Sequence, residues 1–426
     1  MLYKTNTPCG LKAGSMIPLS IATYATKIFL REYNVNRIFL SNIGLWPFQN
    51  RLTRNLLWTF CFLLEISYCP FEILLLYDHW DNTQTIFEGL YQIVLSASFL
   101  VRIMNEFWNR DKIRRLYQTI DEHWNMFTND VEVRILKDYS TLSRKFTKYY
   151  AMLMYVMMSG FIVIPLTPAF LDVIMPVNES RPRFLAIEVE FRVNKDEYFL
   201  LIFCYTTAIC VVGISIMVSV DAMHITCTAH ACSLFAVVSK QVENIISKID
   251  NNNENEYRYL TTELNLSSEE MIYREYITCL KKHQLAIEFV NILESSYQEL
   301  SLVLLILVIA TLSLIGIRIV YVLNQLEETT RFMFIIMGAL MTLMIVCYSG
   351  QRLMDESQNV FYRAYAAKWY NFSPRLKSLL LITLYRSNIP CGLKAGNIVP
   401  LSIATYATVV RMGMSYFTAF LSLKDK

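Results

Sequence analysis

The sequence predicts an all-α integral membrane protein with seven transmembrane helices and a cytoplasmic helical anchor bundle. The chain has 426 residues, of which 54% are hydrophobic and 18% charged, whereas a soluble domain carries about 25% charged residues. The apolar residues are gathered in long runs, and a helix needs about 20 of them to cross a hydrocarbon core of roughly 30 Å. A net charge of +3 gives no indication of nucleic-acid binding.

Seven apolar runs are long enough to span the membrane. They occupy residues 55–77, 84–105, 149–171, 198–220, 300–322, 332–350 and 397–421. The third, fifth and sixth are strongly apolar, whereas the first two carry internal acidic residues. The seventh is rich in Thr, Ser and Tyr, which is typical of a helix that faces protein or water on one side.

The distribution of Lys and Arg predicts an orientation with the N-terminus in the cytoplasm. In that topology, 29 of the 39 basic residues fall in cytoplasmic segments, 7 in outer segments and 3 within spans. The loop at 221–299 is too long to count in the positive-inside rule, and without its 6 basic residues the bias is still 23 to 7. The C-terminus is then extracellular, and Asn178 is the glycosylation candidate. The reverse topology would expose Asn265 and Asn371 instead.

This topology divides the chain into eight segments. They are a duplicated tail at 1–30, a cytoplasmic N-terminal segment at 31–54, spans 1–4 at 55–220, a cytoplasmic helical loop at 221–299, spans 5 and 6 at 300–350, cytoplasmic anchor helices at 351–396, span 7 at 397–421 and an extracellular tail at 422–426. The polar run 251–256 predicts a linker within the long loop, followed by a helix that begins near Ser267 and has Glu270 as its capping-box partner.

An internal repeat links the two ends of the chain. Residues 6–26 and 388–408 are identical at 17 of 21 positions, and two such copies do not make a solenoid. We interpret residues 1–30 as the tail of a neighbouring duplicated gene, joined to this one by fusion or by an artefact of the gene model. The alternative is a genuine additional amphipathic segment.

The sequence contains no motif of a common enzyme class. A Gly-rich phosphate loop, G-x-S-x-G and H-E-x-x-H are all missing, so neither catalysis nor a cofactor is predicted. His224, Cys227, His230 and Cys232 have the residue types of a metal site. On one helix, however, the first and last lie about 12 Å apart along the axis, which four zinc ligands at about 2.0–2.3 Å cannot accommodate. We therefore predict packing residues and no metal.

Two acidic residues in the first span are candidates for function. Glu65 and Glu72 are seven positions apart, so they project from the same face of a helix. Acidic residues inside a membrane are functional candidates by default. The alternative is that both face the helix bundle and pair with polar partners.

The C-terminal fifth of the chain carries the most specific pattern. Its residues are Gly350, Ser357, Ala364-Tyr365, Lys368-Trp369-Tyr370, Pro390, Pro400-Leu401-Ser402 and Ser415-Tyr416-Phe417. This pattern resembles the signature of insect odorant receptors. Near the other end, Asn36-Arg37 and Ile43-Gly44-Leu45-Trp46-Pro47 resemble the start of many such receptors, particularly those of social Hymenoptera. The resemblance runs from about Arg31 to the end of the chain.

The resemblance implies a function as well as a fold. Members of this family are ligand-gated, non-selective cation channels with a topology inverse to that of G-protein-coupled receptors. They act as heterotetramers with an obligate co-receptor, in the plasma membrane of olfactory sensory neuron dendrites. This chain would be the tuning subunit, and its ligand a small, volatile, mostly apolar molecule.

The resemblance also implies the site residues. The last span of each subunit lines the pore, and alignment on Tyr416 places the gate at Ala419 and Leu423, with Ser422 beside them. The ligand pocket lies in the outer half, among spans two, three, four and six, where apolar and aromatic side chains suit such a ligand. Its candidate residues are Tyr91, Leu95, Met154, Met158, Phe161, Tyr205, Ile209 and Met337.

Three other protein classes stay as alternatives. A gustatory-type channel is related, but its last span usually ends in Tyr…Gln-Phe, whereas Tyr416 is followed by Phe-Thr-Ala-Phe. A G-protein-coupled receptor usually has a disulfide to the outer loop, and residues 172–197 contain no Cys. A multi-pass enzyme or transporter lacks support from catalytic motifs or half-symmetric repeats.

Overall fold

The computed structural model describes residues 31–167, 174, 187, 189–194, 197–256, 262–322 and 325–424. These residues form helices, two 3₁₀ turns and one short hairpin. The helices are α1 (Asn34–Asn42), α2 (Arg51–Ile66), α3 (Cys69–Asp78), α4 (Thr83–Trp108), α5 (Arg110–Met126), α6 (Asp130–Val163), α7 (Phe199–Glu256), α8 (Thr262–Val322), α9 (Leu326–Tyr365), α10 (Pro374–Ser387) and α11 (Ile403–Lys424). The 3₁₀ turns are Ile164–Leu166 and Trp369–Asn371, and the strands are β1 (Lys394–Ala395) and β2 (Val399–Pro400).

Six segments within the described residues are helical, long and apolar enough to cross a membrane. They are Arg51–Asp78, Thr83–Trp108, Asp130–Val163, Phe199–Ile249, Glu269–Val322 and Glu328–Tyr365. These confirm the first six predicted spans. The seventh coincides with α11, whose 22 residues suffice to cross the hydrocarbon core. Its Thr, Ser and Tyr residues and Arg411 make it more polar than the other six.

The first span is interrupted, which the hydropathy pattern did not predict. Helix α2 ends at Ile66 and α3 begins at Cys69. Pro70 lies in the first turn of α3, where it has no N–H to continue the hydrogen bonding of α2. The Ser67 hydroxyl donates to the Leu64 carbonyl at 2.7 Å, which satisfies one of the carbonyls that the interruption frees.

Helices α6, α7, α8 and α9 extend well beyond their predicted spans. The prediction of a linker at 251–256 is wrong, because these residues form the last turns of α7. The start of the next helix near Ser267 is also wrong, since α8 begins at Thr262 and Ser267 lies inside it. Beyond the spans these helices pack with α5 and α10 around a large apolar core, which forms the predicted helical bundle.

The hairpin between α10 and α11 positions the last helix. Lys394 pairs with Pro400 and Ala395 with Val399, so three residues lie between the strands. The first two have positive φ, +57° for Gly396 and +60° for Asn397, which is typical of tight hairpin turns. The Gly396 N–H also donates to the Gln298 carbonyl of α8 at 2.8 Å, so the hairpin is attached to the helix bundle.

Candidate ligand-binding site

A cavity of about 170 Å³ lies among α3, α4, α6, α7, α8 and α9. Six of the eight predicted pocket residues line it, and they come from α4, α6 and α7. They are Tyr91, Leu95, Met154, Met158, Phe161 and Ile209. Six predicted residues on three helices therefore face the cavity. That they contact a ligand stays a prediction.

The other two predicted pocket residues lie elsewhere. Met337 points outward with 45% of its surface exposed, and its neighbour Gly338 faces the cavity instead. One position on a helix turns a side chain by about 100°, which accounts for the error. Tyr205 lies about one helical turn before the cavity-lining Ile209 on the same side of α7, where its hydroxyl hydrogen-bonds that of Ser67 at 2.7 Å and its ring contacts Phe71 edge-on.

Flexible apolar side chains form most of the wall. Met154, Met157 and Met158 project from α6 toward α9, where Gly338 leaves space in front of them. A Cβ at position 338 would lie 3.5 Å from the terminal methyl groups of Met154 and Met157. Methionine adapts its shape to irregular apolar partners, so this wall can accommodate ligands of different outline.

One side of the cavity is polar. The Ser96 hydroxyl of α4 donates to Glu72 Oε1 of α3 at 2.5 Å, and the Tyr68 hydroxyl donates to Gln92 Oε1 at 3.5 Å. All four side chains line the cavity, and Glu72 is 1% exposed. Glu72 was predicted as a functional candidate because it is an acidic residue in a membrane span. The predicted pocket, however, did not include the first span.

A buried ion pair closes one end of the cavity. Arg102 Nε donates to Asp221 Oδ1 at 3.2 Å and Arg102 Nη2 to Oδ2 at 3.4 Å. The Tyr150 hydroxyl donates to Asp221 Oδ2 at 2.9 Å. Arg102 and Thr342 line both this cavity and a second cavity of about 40 Å³ on the far side of the pair. Arg102 is one of the three basic residues within the predicted spans, and the sequence alone does not identify its acidic partner.

A second group of buried charges lies near Tyr91. Arg318 of α8 and Arg331 of α9 donate to the two oxygens of Glu88 at 2.5 and 2.9 Å. Both guanidinium groups also lie over the ring of Phe332, at 5.7 and 4.7 Å from its centroid. Phe332 in turn contacts Tyr91 edge-on at 5.5 Å. This cluster joins the ends of three spans beside the cavity.

The four residues of α7 that have the types of a metal site, His224, Cys227, His230 and Cys232, are buried and packed. His230 Nε2 lies 3.2 Å from Nδ1 of His123 on α5, and the two rings stack. Burial lowers the pKa of His123 to about 4, so the imidazole is neutral at physiological pH. Among the described residues, no group of three or more His, Cys, Asp or Glu side chains has the arrangement of a metal site.

Comparison with known proteins decides the family. Residues 82–414 match the family model described as "7tm Odorant receptor", which is more than three quarters of the chain. The chain belongs to the odorant receptor family of insects. It is 22% identical to "Odorant receptor Or2" of Anopheles gambiae, over 88% of this chain and 95% of that one.

Other relatives of the receptor match over shorter stretches. It is 26% identical to "Odorant receptor 2a" of Drosophila melanogaster over 36% of this chain, and 30% identical to "Odorant receptor 67a" of the same species over 25%. These two matches span 40% and 26% of the relatives' own length. The receptor's fold is similar to that of the insect olfactory receptor OR5 from Machilis hrabei in complex with eugenol. The TM-score is 0.72 at 13% identity, covering 94% of this chain and 99% of that one.

Part of the receptor's C-terminal signature has a clear structural role. The Ser357 hydroxyl accepts from the Cys391 N–H at 2.9 Å, which attaches the hairpin to α9. Ser402 caps α11 by accepting from the Thr405 N–H at 3.2 Å, and Thr405 Oγ1 donates to the Pro400 carbonyl at 2.5 Å. A Cβ at Gly350 would clash with the Leu401 carbonyl oxygen, so only glycine allows this close approach.

Three aromatic residues of the signature are exposed. Tyr365 is 65% exposed, Trp369 54% and Tyr370 62%, so the end of α9 and the 3₁₀ turn that follows it present a row of large aromatic side chains. Large aromatic residues are enriched in protein interfaces. This surface therefore has the residue types of a protein interface.

Helix α11 packs on the receptor along one face only. Gly413 approaches Leu312 and Gly316 approaches Phe417, such that a Cβ on either glycine would lie 2.9 Å from its neighbour. The predicted gate residues Tyr416, Ala419 and Ser422 are exposed. The side chain of Leu423 and the whole of Asn178 lie outside the described residues.

Proposed function

We propose that this odorant receptor is the ligand-binding subunit of an odorant-gated, non-selective cation channel. The observation that carries the proposal is a mostly apolar cavity of about 170 Å³ within a fold similar to that of an olfactory receptor. An apolar cavity of about 150 Å³ holds a molecule the size of benzene. The size and lining therefore suit a small volatile compound.

In this proposal, α11 lines the pore, with Tyr416, Ala419, Ser422 and Leu423 near its outer end. A single chain leaves Tyr416, Ala419 and Ser422 exposed, and neighbouring subunits would cover them around a central axis. The partner is the odorant co-receptor, and the complex is a heterotetramer in the plasma membrane of sensory dendrites. Rings of apolar residues can block ions by excluding water.

The ligand opens such a channel only if it binds the open state better than the closed state. The cavity walls come from helices that also support α11, since α8 and α9 line the cavity and contact α11. A ligand between α6 and α9 could therefore change the position of α9 relative to α11. This arrangement supports a direct connection between ligand binding and the pore.

The test is co-expression of the receptor and its co-receptor in cells without other odorant receptors, with recording of current during application of a panel of volatile compounds. We expect cation current only when both chains are present, and we expect it to persist when G-protein signalling is blocked. Current without the co-receptor would favour a gustatory-type channel. Loss of current under G-protein blockade would contradict the channel proposal.

A further inference from the structure

The cavity contains one buried oxygen atom without a partner. Glu72 Oε1 accepts from Ser96, but Glu72 Oε2 has no hydrogen-bond partner among the residues that the structure describes. It is the one such side-chain oxygen or nitrogen among the described cavity residues. An unpartnered buried polar atom is costly to a protein, so its retention in a ligand pocket points to a role in binding.

The other charged residue of the cavity is already neutralised. Arg102 uses Nε and Nη2 on Asp221, and its Nη1 donates to the Ser98 carbonyl at 3.0 Å. A ligand carboxylate or carbonyl therefore gains little from approaching Arg102. Glu72, in contrast, makes no ion pair with any cation in the described part of the chain, so the cavity lacks a positive charge at this carboxyl group.

Charged groups inside a membrane almost always pair with an opposite charge, and a lone carboxylate is very costly to bury. Since the described protein does not supply the cation, the ligand can. We propose that the cavity binds a small apolar amine, with its ammonium group hydrogen-bonded to Glu72 and its hydrocarbon part against Met154, Met158 and Ile209. This inference rests on the proposed function and names the ligand class of the same site.

The geometry of the cavity agrees with such a ligand. The polar atoms of Glu72, Ser96 and Gln92 are on α3 and α4, whereas the methionines are on α6 and the remaining walls are mostly apolar. A molecule with one polar end and one apolar end matches this division. If the amine enters as the free base and the carboxyl is protonated, the proton moves from Glu72 Oε2 to the amine nitrogen, and the result is the same ion pair.

The experiment compares ligands of equal length in the co-receptor complex. Hexylamine and 1-hexanol are applied to the wild type, to Glu72→Gln and to Glu65→Gln, and the concentration for half-maximal current is measured. Glu65→Gln is the matched control, because Glu65 is 0% exposed on the same span but does not line the cavity. Surface labelling of each variant shows that the protein is folded and delivered.

We expect Glu72→Gln to reduce sensitivity to hexylamine by about ten- to a hundredfold, the value of one charge-assisted hydrogen bond, while sensitivity to 1-hexanol changes less than about threefold. Glu65→Gln should leave the ratio of the two sensitivities unchanged. Equal shifts for amine and alcohol, no shift for either, or a wild type that responds to 1-hexanol but not to hexylamine would each overturn the amine proposal. Absence of current with every volatile compound would instead count against the proposed channel function.

Discussion

Arg102 and Asp221 join α4 to α7 with 3% and 4% of their side chains exposed. Each is almost completely removed from water, so the charge of each residue is stabilised by the opposite charge of the other. Tyr150 adds a hydrogen bond from α6, and Ser98 accepts a third bond from the guanidinium. The pair therefore connects three spans at the end of the ligand cavity.

Replacing Asp221 by Asn should destabilise the receptor strongly. The change leaves Arg102 buried without its counter-charge, which costs about 3–5 kcal/mol in comparable buried pairs. The control is Asp78→Asn, which breaks the exposed pair between Asp78 and Arg192 and should have a much smaller effect, because water screens an exposed pair. Thermal unfolding in detergent and surface expression measure both. Equal effects of the two substitutions would show that burial does not govern this pair.

Gly338 tests whether the cavity holds the ligand. Alanine at 338 fits at ordinary contact distance from Met154 and Met157, whereas leucine would extend into the space between α6 and α9. We expect Gly338→Leu to abolish or greatly reduce odorant-evoked current at normal surface expression, and Gly338→Ala to retain it. A leucine variant that responds like the wild type would place the ligand elsewhere.

The pocket residues could be predicted from the sequence only as far as helix faces could be inferred. Met154, Met158 and Phe161 are separated by three or four positions and therefore lie on one face of α6. Once that face was inferred, all three residues followed from it. Met337 lies one position from the cavity-lining Gly338, because a single apolar run does not show how a helix is rotated about its axis. Glu72 was not placed at the pocket because hydropathy does not show which spans are neighbours. The structure shows that α3 contacts α4, which brings Glu72 to the pocket.

At the scale of elements, hydropathy predicted the spans but not the helices. The runs at 198–220 and 300–322 mark only the apolar part of α7 and α8, which have 58 and 61 residues. Beyond these runs the helices become amphipathic and pack against α5 and α10. Asn and Glu at 251–256 suggested a linker, but these residues continue α7 as a helix.

Helix α5 gives the helical bundle a dependence on pH. Burial lowers the pKa of His123 to about 4 from an ordinary value near 6.5. Below pH 6.5 the unfolded chain therefore binds a proton that the folded chain does not, and stability falls as the pH decreases toward 4. Burial raises the pKa of the neighbouring Asp121 to about 6, and this carboxyl group acts in the opposite direction between about pH 4 and 6.

We expect the receptor in detergent to be less stable at pH 5.5 than at pH 7.5, with a contribution from His123 of about 1 kcal/mol. In Asp121→Asn, the opposing contribution is removed, so the loss on acidification should be larger than in the wild type. Melting temperatures at the two pH values measure the effect. Equal acid sensitivity in the wild type and Asp121→Asn would exclude Asp121 as the opposing group.

At the scale of the whole molecule, two exposed surfaces suit contact with other subunits. The aromatic row at the end of α9 and the exposed residues of α11 lie in the two regions where the proposed channel needs contact between subunits. Ordinary monomers seldom expose large apolar groups together unless they bind something. Lipid can cover such a surface within the membrane, but the helical bundle extends beyond the spans, so protein contacts are the better explanation for its aromatic residues.

The orientation of the receptor in the membrane determines which end of α11 is the outer one. The bias of Lys and Arg predicts a cytoplasmic N-terminus, and it predicts that Asn178 faces the lumen whereas Asn265 and Asn371 do not. Single Asn→Gln substitutions at the three sequons, translated in microsomes, measure this through the mass added by glycosylation. We expect the wild type and the variants at 265 and 371 to be modified, and Asn178→Gln to be unmodified. Modification that depends on Asn265 or Asn371 would show that the topology is the reverse of the predicted one. Ala419 and Leu423 would then lie at the cytoplasmic end of the pore, where they could not form an outer gate.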